Sequence, residues 1–251
     1  MNRVEEGIYS YLEGDVNAAM KLLLSYLDEG GVPTGQVYYY LGMAHSDIGK
    51  HTDAGVYFHK ALELEPNKSA YHYKLALVYS QLMLFQQAIP HLIKTLEQNP
   101  EHLLARITLG KIYFKNGDMQ LAEEQFQYVT EISPDYANGF YEFGNSLYYQ
   151  GYTQKAEKAF LRSVELNPNH LDAHYKLGRL SADIKDYGKA TEYMRKAFTL
   201  GMDVLPFMSH FALVLLAANQ REQAQKVLKM AEDMYPDAPE ITKLSNLIKC
   251  E

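Results

Sequence analysis

One 34-residue segment, residues 137–170, contains the pattern from which the fold can be predicted. It reads ANGFYEFGNSLYYQGYTQKAEKAFLRSVELNPNH. Apolar residues recur at three- and four-residue spacing in both of its halves, which is typical of amphipathic helices. A polar break at Gly151 separates the halves, and Pro168 follows the second one. Because glycine and proline mark turns, the segment predicts two helices joined as a hairpin.

The same pattern recurs along the chain every 34 residues. Prolines form one column, with a gap at Met202: Pro66, Pro100, Pro134, Pro168 and Pro236. Small residues form a second column: Gly42, Ala76, Gly110, Gly144, Gly178 and Ala212. A third column is entirely alanine: Ala54, Ala88, Ala122, Ala156, Ala190 and Ala224. Large apolar residues form two more columns: Leu41, Leu75, Leu109, Phe143, Leu177 and Phe211, and Phe58, Leu92, Phe126, Phe160, Met194 and Leu228. A single hairpin cannot bury its apolar face alone, so the columns predict a stack of hairpins with a shared core.

Small, alanine, aromatic and proline columns at this period resemble the tetratricopeptide repeat. The resemblance implies an all-α fold, a right-handed α-solenoid (superhelix) of helix-turn-helix repeats, in a single domain of residues 1–251. We place the repeats at residues 1–34, 35–68, 69–102, 103–136, 137–170, 171–204 and 205–238, and a C-terminal capping helix at 239–251. The first repeat is the least regular, because Gly7 and Ala19 fit the columns one residue early.

Composition argues against several classes of protein. Lysine and arginine number 24 against 31 aspartate and glutamate, a net charge of −7, which disfavours general nucleic-acid binding. Single-stranded RNA stays an alternative, since related helical-hairpin arrays read RNA. The one cysteine, Cys250, forms neither an internal disulfide nor a cysteine-based zinc site. Charges occupy the first residues, where a secretory signal would be apolar, and no apolar stretch is long enough to span a bilayer, so we expect a cytoplasmic protein.

The sequence contains no familiar catalytic or cofactor motif. The patterns GxxxxGK[ST], GxSxG and HExxH are absent, so we expect neither an enzyme nor a cofactor. The enzyme alternative is a repeat module whose catalytic partner is a separate chain. His170 and His174 have the i, i+4 spacing of a metal-binding pair. We expect them to be solvated histidines at a turn and a helix start, and we predict no metal site.

The resemblance implies that the first helix of each pair faces a concave groove. A tyrosine column falls on this face, with Ile107 in its gap: Tyr39, Tyr73, Tyr141 and Tyr175. A second column is polar in three consecutive repeats: Lys111, Asn145 and Arg179. Lys115, Tyr148 and Lys176 are expected on the same wall. Together these residues predict a basic and aromatic floor across residues 103–204.

Such a floor suits one kind of partner. Lysine and arginine form charge-assisted hydrogen bonds with carboxylates, and tyrosine supplies rigid apolar area with a polar tip. We therefore predict that the partner is an extended peptide or protein segment, acidic or with a free C-terminal carboxylate. The alternative is a solvated, charge-balanced helix face. Relatives that bind chaperone C-termini have a lysine where this chain has Tyr39, Tyr73, Ile107 or Tyr141, so we do not assign that role.

One turn departs from the repeat pattern. Residues 82–85 read LMLF where polar residues and glycine are expected, so Met83 and Leu84 are predicted to be exposed. Pro90 follows closely and is predicted to interrupt the next helix. These residues are candidates for a second interface.

The groove positions near residue 213 are unusually apolar. Leu213, Leu216 and Ala217 occupy them, and cover by the C-terminal helix or self-association would each account for this. The sequence thus predicts a non-catalytic adaptor or scaffold that binds a partner in its groove. The alternative is a self-assembling oligomeric scaffold that recruits partners on its convex surface.

Overall fold

The computed structural model describes residues 2–249, and side chains as far as residue 246. The described residues form fifteen α-helices and no strand. The helices are α1 (Arg3–Leu12), α2 (Val16–Asp28), α3 (Gly35–Asp47), α4 (His51–Leu64), α5 (Ser69–Gln81), α6 (Phe85–Gln98), α7 (Leu103–Asn116), α8 (Met119–Ile132), α9 (Ala137–Tyr149), α10 (Thr153–Leu166), α11 (Leu171–Asp183), α12 (Tyr187–Thr199), α13 (Leu205–Ala217), α14 (Arg221–Met234) and α15 (Pro239–Lys249). Cys250 and the side chains of Leu247 and Ile248, expected on the inner face of the capping helix, lie outside the described residues.

The helices pack as two compact units, Met1–Gln125 (unit 1) and Phe126–Glu251 (unit 2), and the boundary falls within α8. In unit 1, helices pair as α1 with α2, α3 with α4, and α5 with α6. In unit 2, they pair as α9 with α10, α11 with α12, and α13 with α14, and α15 packs on α14. Each unit is therefore built from helical hairpins. The single domain expected from the sequence stays a prediction.

The small-residue columns hold the two helices of each hairpin close together. All six members of the alanine column are fully buried. A Cβ atom at Gly42 would lie 2.7 Å from the Phe58 ring, and one at Gly144 would lie 2.7 Å from the Phe160 ring. Real Cβ atoms are not found this close to another carbon, so glycine is needed where the large aromatic ring of the second helix packs on the first.

The turn inside each hairpin contains one residue with a positive φ angle. Glycine takes this position in several repeats, with φ of 77° at Gly49, 87° at Gly117 and 83° at Gly151. Met83 takes it in the α5–α6 turn, with φ of 60°. A side chain with a Cβ pays about 1–2 kcal/mol for the left-handed region, which glycine does not. Met83 is 66% exposed, so no packing of its side chain offsets that cost.

Replacing Met83 with glycine is expected to raise the free energy of unfolding by about 0.5–1 kcal/mol, because it relieves the left-handed strain at the expense of a more flexible unfolded chain. Urea unfolding followed by circular dichroism measures the change. Met83→Ala is the matched control, since it removes the apolar side chain but keeps the Cβ. An equal gain from both variants would show that side-chain exposure, not backbone strain, is the cause.

Pro90 lies inside α6, which runs from Phe85 to Gln98, so the predicted interruption of this helix is wrong. Proline lacks the N–H that would donate to the carbonyl of Gln86 four residues earlier. Gln86 is exposed, so water can satisfy that carbonyl. The helix therefore loses one hydrogen bond and continues.

Helix α15 covers part of the last hairpin. Ile241 is fully buried in one core cluster with Phe211 and Leu228, and Leu216 packs partly buried against the same cluster. Leu213 is 47% exposed, and Ala217 is exposed as well. Of the three apolar groove residues, Leu216 is therefore partly buried, whereas Leu213 and Ala217 are exposed.

Candidate functional site

The first helices of the unit 2 hairpins bring cations and aromatic rings together. On α11, Lys176 places its Nζ 5.2 Å from the ring centre of Tyr148 and 4.9 Å from that of Tyr149. Arg179, one turn further along α11, lies 5.6 Å from the Tyr148 ring and 6.0 Å from the Tyr175 ring. Cations at such distances from ring faces are attracted by the ring quadrupole. The structure thus brings together four of the predicted site residues.

Lys176 is 9% exposed, which is unusual for a lysine without a carboxylate within ion-pair distance. Burial, and to a smaller extent the neighbouring charge of Arg179, lowers the pKa of its ammonium group to about 8, although Asp172 and Glu142 act in the opposite sense. An anion placed beside Lys176 would favour its charged form. The pair of cations is therefore suited to bind a carboxylate.

A second contact group surrounds Tyr141. Its ring centre lies 4.8 Å from that of His170. Burial raises the pKa of Tyr141 to about 12, although a hydrogen bond with Asn145 acts in the opposite sense. His170 Nδ1 accepts a hydrogen bond from the backbone N–H of Ala173 and so caps α11. The pKa of His170 is lowered by burial.

Two polar atoms beside Tyr141 lack partners. Asn145 Oδ1 and His170 Nε2 are buried and form no hydrogen bond within the described residues. Since His170 Nδ1 accepts a hydrogen bond, the neutral ring carries its proton on Nε2, which is a donor. One unfilled acceptor and one unfilled donor match a peptide group, which offers one N–H and one C=O.

Two hydrogen bonds join the first helices at this face, one from α9 to α11 and one between α11 and α13. Tyr148 donates its hydroxyl to Asp183 at 3.4 Å. The Tyr175 hydroxyl lies 3.4 Å from His210 Nδ1. Burial lowers the pKa of His210, and the charge of Arg179 does so too.

Three residues at this site, His170, His210 and Tyr149, were not predicted from the sequence as site residues. His210 stands 34 residues after Lys176, so extending the Lys176 column by one repeat would have found it. His170 follows Tyr141 by 29 residues, and His102 follows Tyr73 by the same number, with ring centres 4.5 Å apart. Tyr149 has no such signal, since it adjoins the predicted Tyr148.

The predicted residues of unit 1 lie in separate contacts. Tyr39 stacks on Tyr71 with ring centres 4.9 Å apart. Tyr73 lies against His102, and the Nζ of Lys115 lies 5.8 Å from the Phe85 ring centre. Lys111 is exposed. A floor that continues across residues 103–204 stays a prediction.

The histidine pair serves the fold. His170 and His174 are both at least nine-tenths buried, so the expectation that they are solvated is wrong. His174 Nε2 lies 2.9 Å from the carbonyl oxygen of Pro168, to which it donates, while His170 caps its helix. Among the residues that the structure describes, no three histidine, cysteine, aspartate or glutamate side chains are grouped to hold a metal ion.

None of the described helices has both the length and the apolar character that crossing a membrane requires.

Several solved structures are similar in fold. A Pseudomonas aeruginosa structure, PilF, is 19% identical with a TM-score of 0.74, covering 85% of this chain and 97% of that one. A tetratricopeptide repeat protein from Parabacteroides merdae is 19% identical with a TM-score of 0.73, covering 98% and 97%. MamA from Desulfovibrio magneticus is 22% identical with a TM-score of 0.62, covering 66% and 94%. Likeness at these identities shows the fold alone.

Sequence comparison gives the family. No curated protein matches the chain. Models of the tetratricopeptide repeat match residues 35–68, 73–137 and 141–202, which is more than half of the chain. The fold of helical hairpins agrees with this match, and it is typical of protein-interaction scaffolds. The chain belongs to the tetratricopeptide repeat family.

Proposed function

We propose that the chain is a non-catalytic adaptor that binds an extended segment of a partner protein on the first-helix face of unit 2. The observation that supports this most is the unfilled acceptor and donor beside Tyr141, at Asn145 Oδ1 and His170 Nε2. A peptide group can form hydrogen bonds with both atoms, whereas an apolar side chain can form a hydrogen bond with neither. Both atoms are shielded from solvent, so we expect the Tyr141 ring to move when the peptide binds.

The cations of the same face favour a partner with a negative charge. Lys176 and Arg179 lie among the rings of Tyr148 and Tyr175, on a chain with a net charge of −7. A carboxylate bound there would form charge-assisted hydrogen bonds in a partly desolvated place. We propose that the partner segment is acidic or ends in a free carboxylate at this point. Tyr39, Tyr73, Lys111 and Lys115 of unit 1 are proposed as further partner contacts.

Affinity capture from a lysate of the source cell tests the proposal. The baits are the wild-type chain and a Tyr141→Ala/Arg179→Glu variant. A Tyr152→Ala/Arg162→Glu variant is the matched control, because it makes the same changes at the N-cap of α10 and within that helix, and Tyr152 is 49% exposed. We expect the wild type and the control to capture a partner that the site variant does not, with equal helix content by circular dichroism. A partner captured equally by all three baits would refute a role for this face.

A second candidate function rests on exposed apolar residues. Met83 is 66% exposed and Leu84 is 41% exposed in unit 1, and Leu213 is 47% exposed in unit 2. Such side chains favour self-association into an oligomeric scaffold that recruits partners on its convex surface. We include Leu216, one helical turn after Leu213, in the proposed interface. Light scattering across a dilution series separates the two functions. A mass that rises with concentration, and no longer rises in a Met83→Ser/Leu213→Ser variant, would favour the scaffold.

A further inference from the structure

Unit 2 has a cavity of about 450 Å³ between its second helices, α10 and α12. Val164 of α10, Pro168 of the following turn and Tyr193 of α12 supply its apolar lining. His174 of α11 lines it as well. This volume lies within the range of about 300–1,000 Å³ that small-ligand sites occupy.

This cavity is distinct from the face proposed above to bind the partner. His174 and Arg179 are five residues apart on α11, which places them about 140° apart around the helix at 3.6 residues per turn. The residues that line the cavity come from α10, α11 and α12, whereas the cluster around Lys176 comes from α9, α11 and α13. The two surfaces therefore lie on different sides of α11.

One lining residue, His174, has a buried polar atom without a partner. His174 donates its Nε2–H to Pro168, which leaves Nδ1 as a buried acceptor with no hydrogen bond in the described part of the chain. Three repeats earlier, His72 Nδ1 lies 2.9 Å from His91 Nδ1 and is satisfied. Tyr193 stands where that repeat has His91, and its ring centre is 6.2 Å from that of His174.

Two charged side chains of α12 at the cavity are exposed and have no ion-pair partner among the residues that the structure describes. Glu192 and Lys196 line the cavity four residues apart, and neither forms an ion pair in the described residues. The third charged residue, Arg195, donates hydrogen bonds to Gln220, the N-cap of α14, and to Gln223 of α14. A peptide brings partners for both open charges, since an acidic side chain pairs with lysine and a backbone N–H donates to a carboxylate.

We propose that this cavity binds a short acidic peptide segment of a partner protein, whose apolar side chain packs between Val164, Pro168 and Tyr193. A carboxylate of the segment pairs with Lys196. From Glu192 to Thr199 the groove extends about 10 Å along α12, the length of about three extended residues.

The test titrates acetyl-Asp-Phe-Asp-amide into the isotope-labelled full-length chain and follows its backbone amide resonances. We expect the largest shifts at His174, Tyr193 and Lys196. Lys196→Gln should weaken binding about threefold to fivefold, the size expected of one partly exposed charge pair. Lys158→Gln is the matched control, because it removes an exposed lysine of α10 that does not line the cavity, and it should leave the affinity unchanged.

Further probes give the outcomes that would overturn the proposal. Acetyl-Asn-Phe-Asn-amide, without charge, and acetyl-Asp-Ala-Asp-amide, without the ring, should both bind more weakly. If the uncharged peptide binds equally, the carboxylates do not contribute to binding; if the alanine peptide binds equally, the ring does not. If 3-phenylpropionate binds as tightly as the tripeptide, the occupant is a small organic acid. If the resonances of the lining residues stay in place at millimolar probe, the cavity is not a binding site.

Discussion

Replacing Phe160 with alanine is expected to lower the free energy of unfolding of unit 2 by about 3–5 kcal/mol. The Phe160 side chain is fully buried and packs in one cluster with Leu147, Ala156 and Leu177. Its ring also fills the space over Gly144. Alanine would leave a cavity there, because glycine on the facing helix has no side chain that could move in.

Urea unfolding followed by circular dichroism measures this loss. Phe160→Leu is the matched control, since leucine occupies the same column at Leu92 and Leu228 and keeps most of the apolar volume. We expect the leucine variant to lose about 1–2 kcal/mol. An alanine variant within 1 kcal/mol of the wild type would mean that this hairpin does not depend on the glycine–aromatic contact.

The same substitution links the core to the candidate site. The ring centre of Tyr141 lies 5.9 Å from that of Phe160 on one side and 4.8 Å from that of His170 on the other. The core ring therefore contacts a ring of the candidate site. If this face binds a partner as proposed, we expect a change in the core column to weaken binding without touching the partner.

The fold could be predicted from the sequence because its packing is periodic. The contact of Gly144 with Phe160 repeats that of Gly42 with Phe58, so each repeat is independent support for the same geometry. The turns show where such a prediction fails. Pro90 lies within α6, and the carbonyl that lacks its hydrogen bond belongs to the exposed residue Gln86; no pattern of residue types reports that exposure.

The site could be predicted only in part. Tyrosine and lysine columns located α9 and α11 because these positions follow the repeat. The unfilled atoms of Asn145 and His170 depend on hydrogen bonds made elsewhere, such as that from Ala173 to His170. Burial of Lys176 likewise depends on two rings from a neighbouring helix. These are tertiary contacts that single residues make in one repeat, so the pattern common to all repeats does not predict them.

Unit 1 contains a cluster of three histidines, from which we expect the stability of this unit to depend on pH. His72 of α5 lies 2.9 Å from the Pro66 carbonyl through Nε2 and 2.9 Å from His91 Nδ1 through Nδ1. His59 of α4 approaches the cluster, with its ring centre 6.2 Å from that of His91. Burial lowers the pKa of His91 to about 4, and the charges of His72 and His59 add to the effect.

Acidification from pH 7 to pH 4 is expected to cost unit 1 about 1–2 kcal/mol through His91. Its pKa is about 4 in the folded chain and 6.5 ordinarily, so between these values the unfolded chain takes up a proton that the folded chain does not. The stability is therefore complete above pH 6.5 and is lost as the pH falls towards 4. Full linkage would give about 3 kcal/mol, which we reduce because His91 is only half-buried.

Urea unfolding of the wild type and of His91→Gln at several pH values between 7 and 4 measures the contribution of His91 to the free energy of unfolding. Glutamine is neutral throughout, and Gln125 takes the equivalent position beside Arg106 with a hydrogen bond of 3.2 Å. We expect the variant to be less stable than the wild type at pH 7, where His91 bonds His72, and the difference to shrink by about 1–2 kcal/mol at pH 4. Parallel curves for the two proteins would mean that His91 takes up its proton equally in the folded and unfolded chain. The histidine cluster would then stabilise the packing of α5 on α6 without making the stability of unit 1 depend on pH.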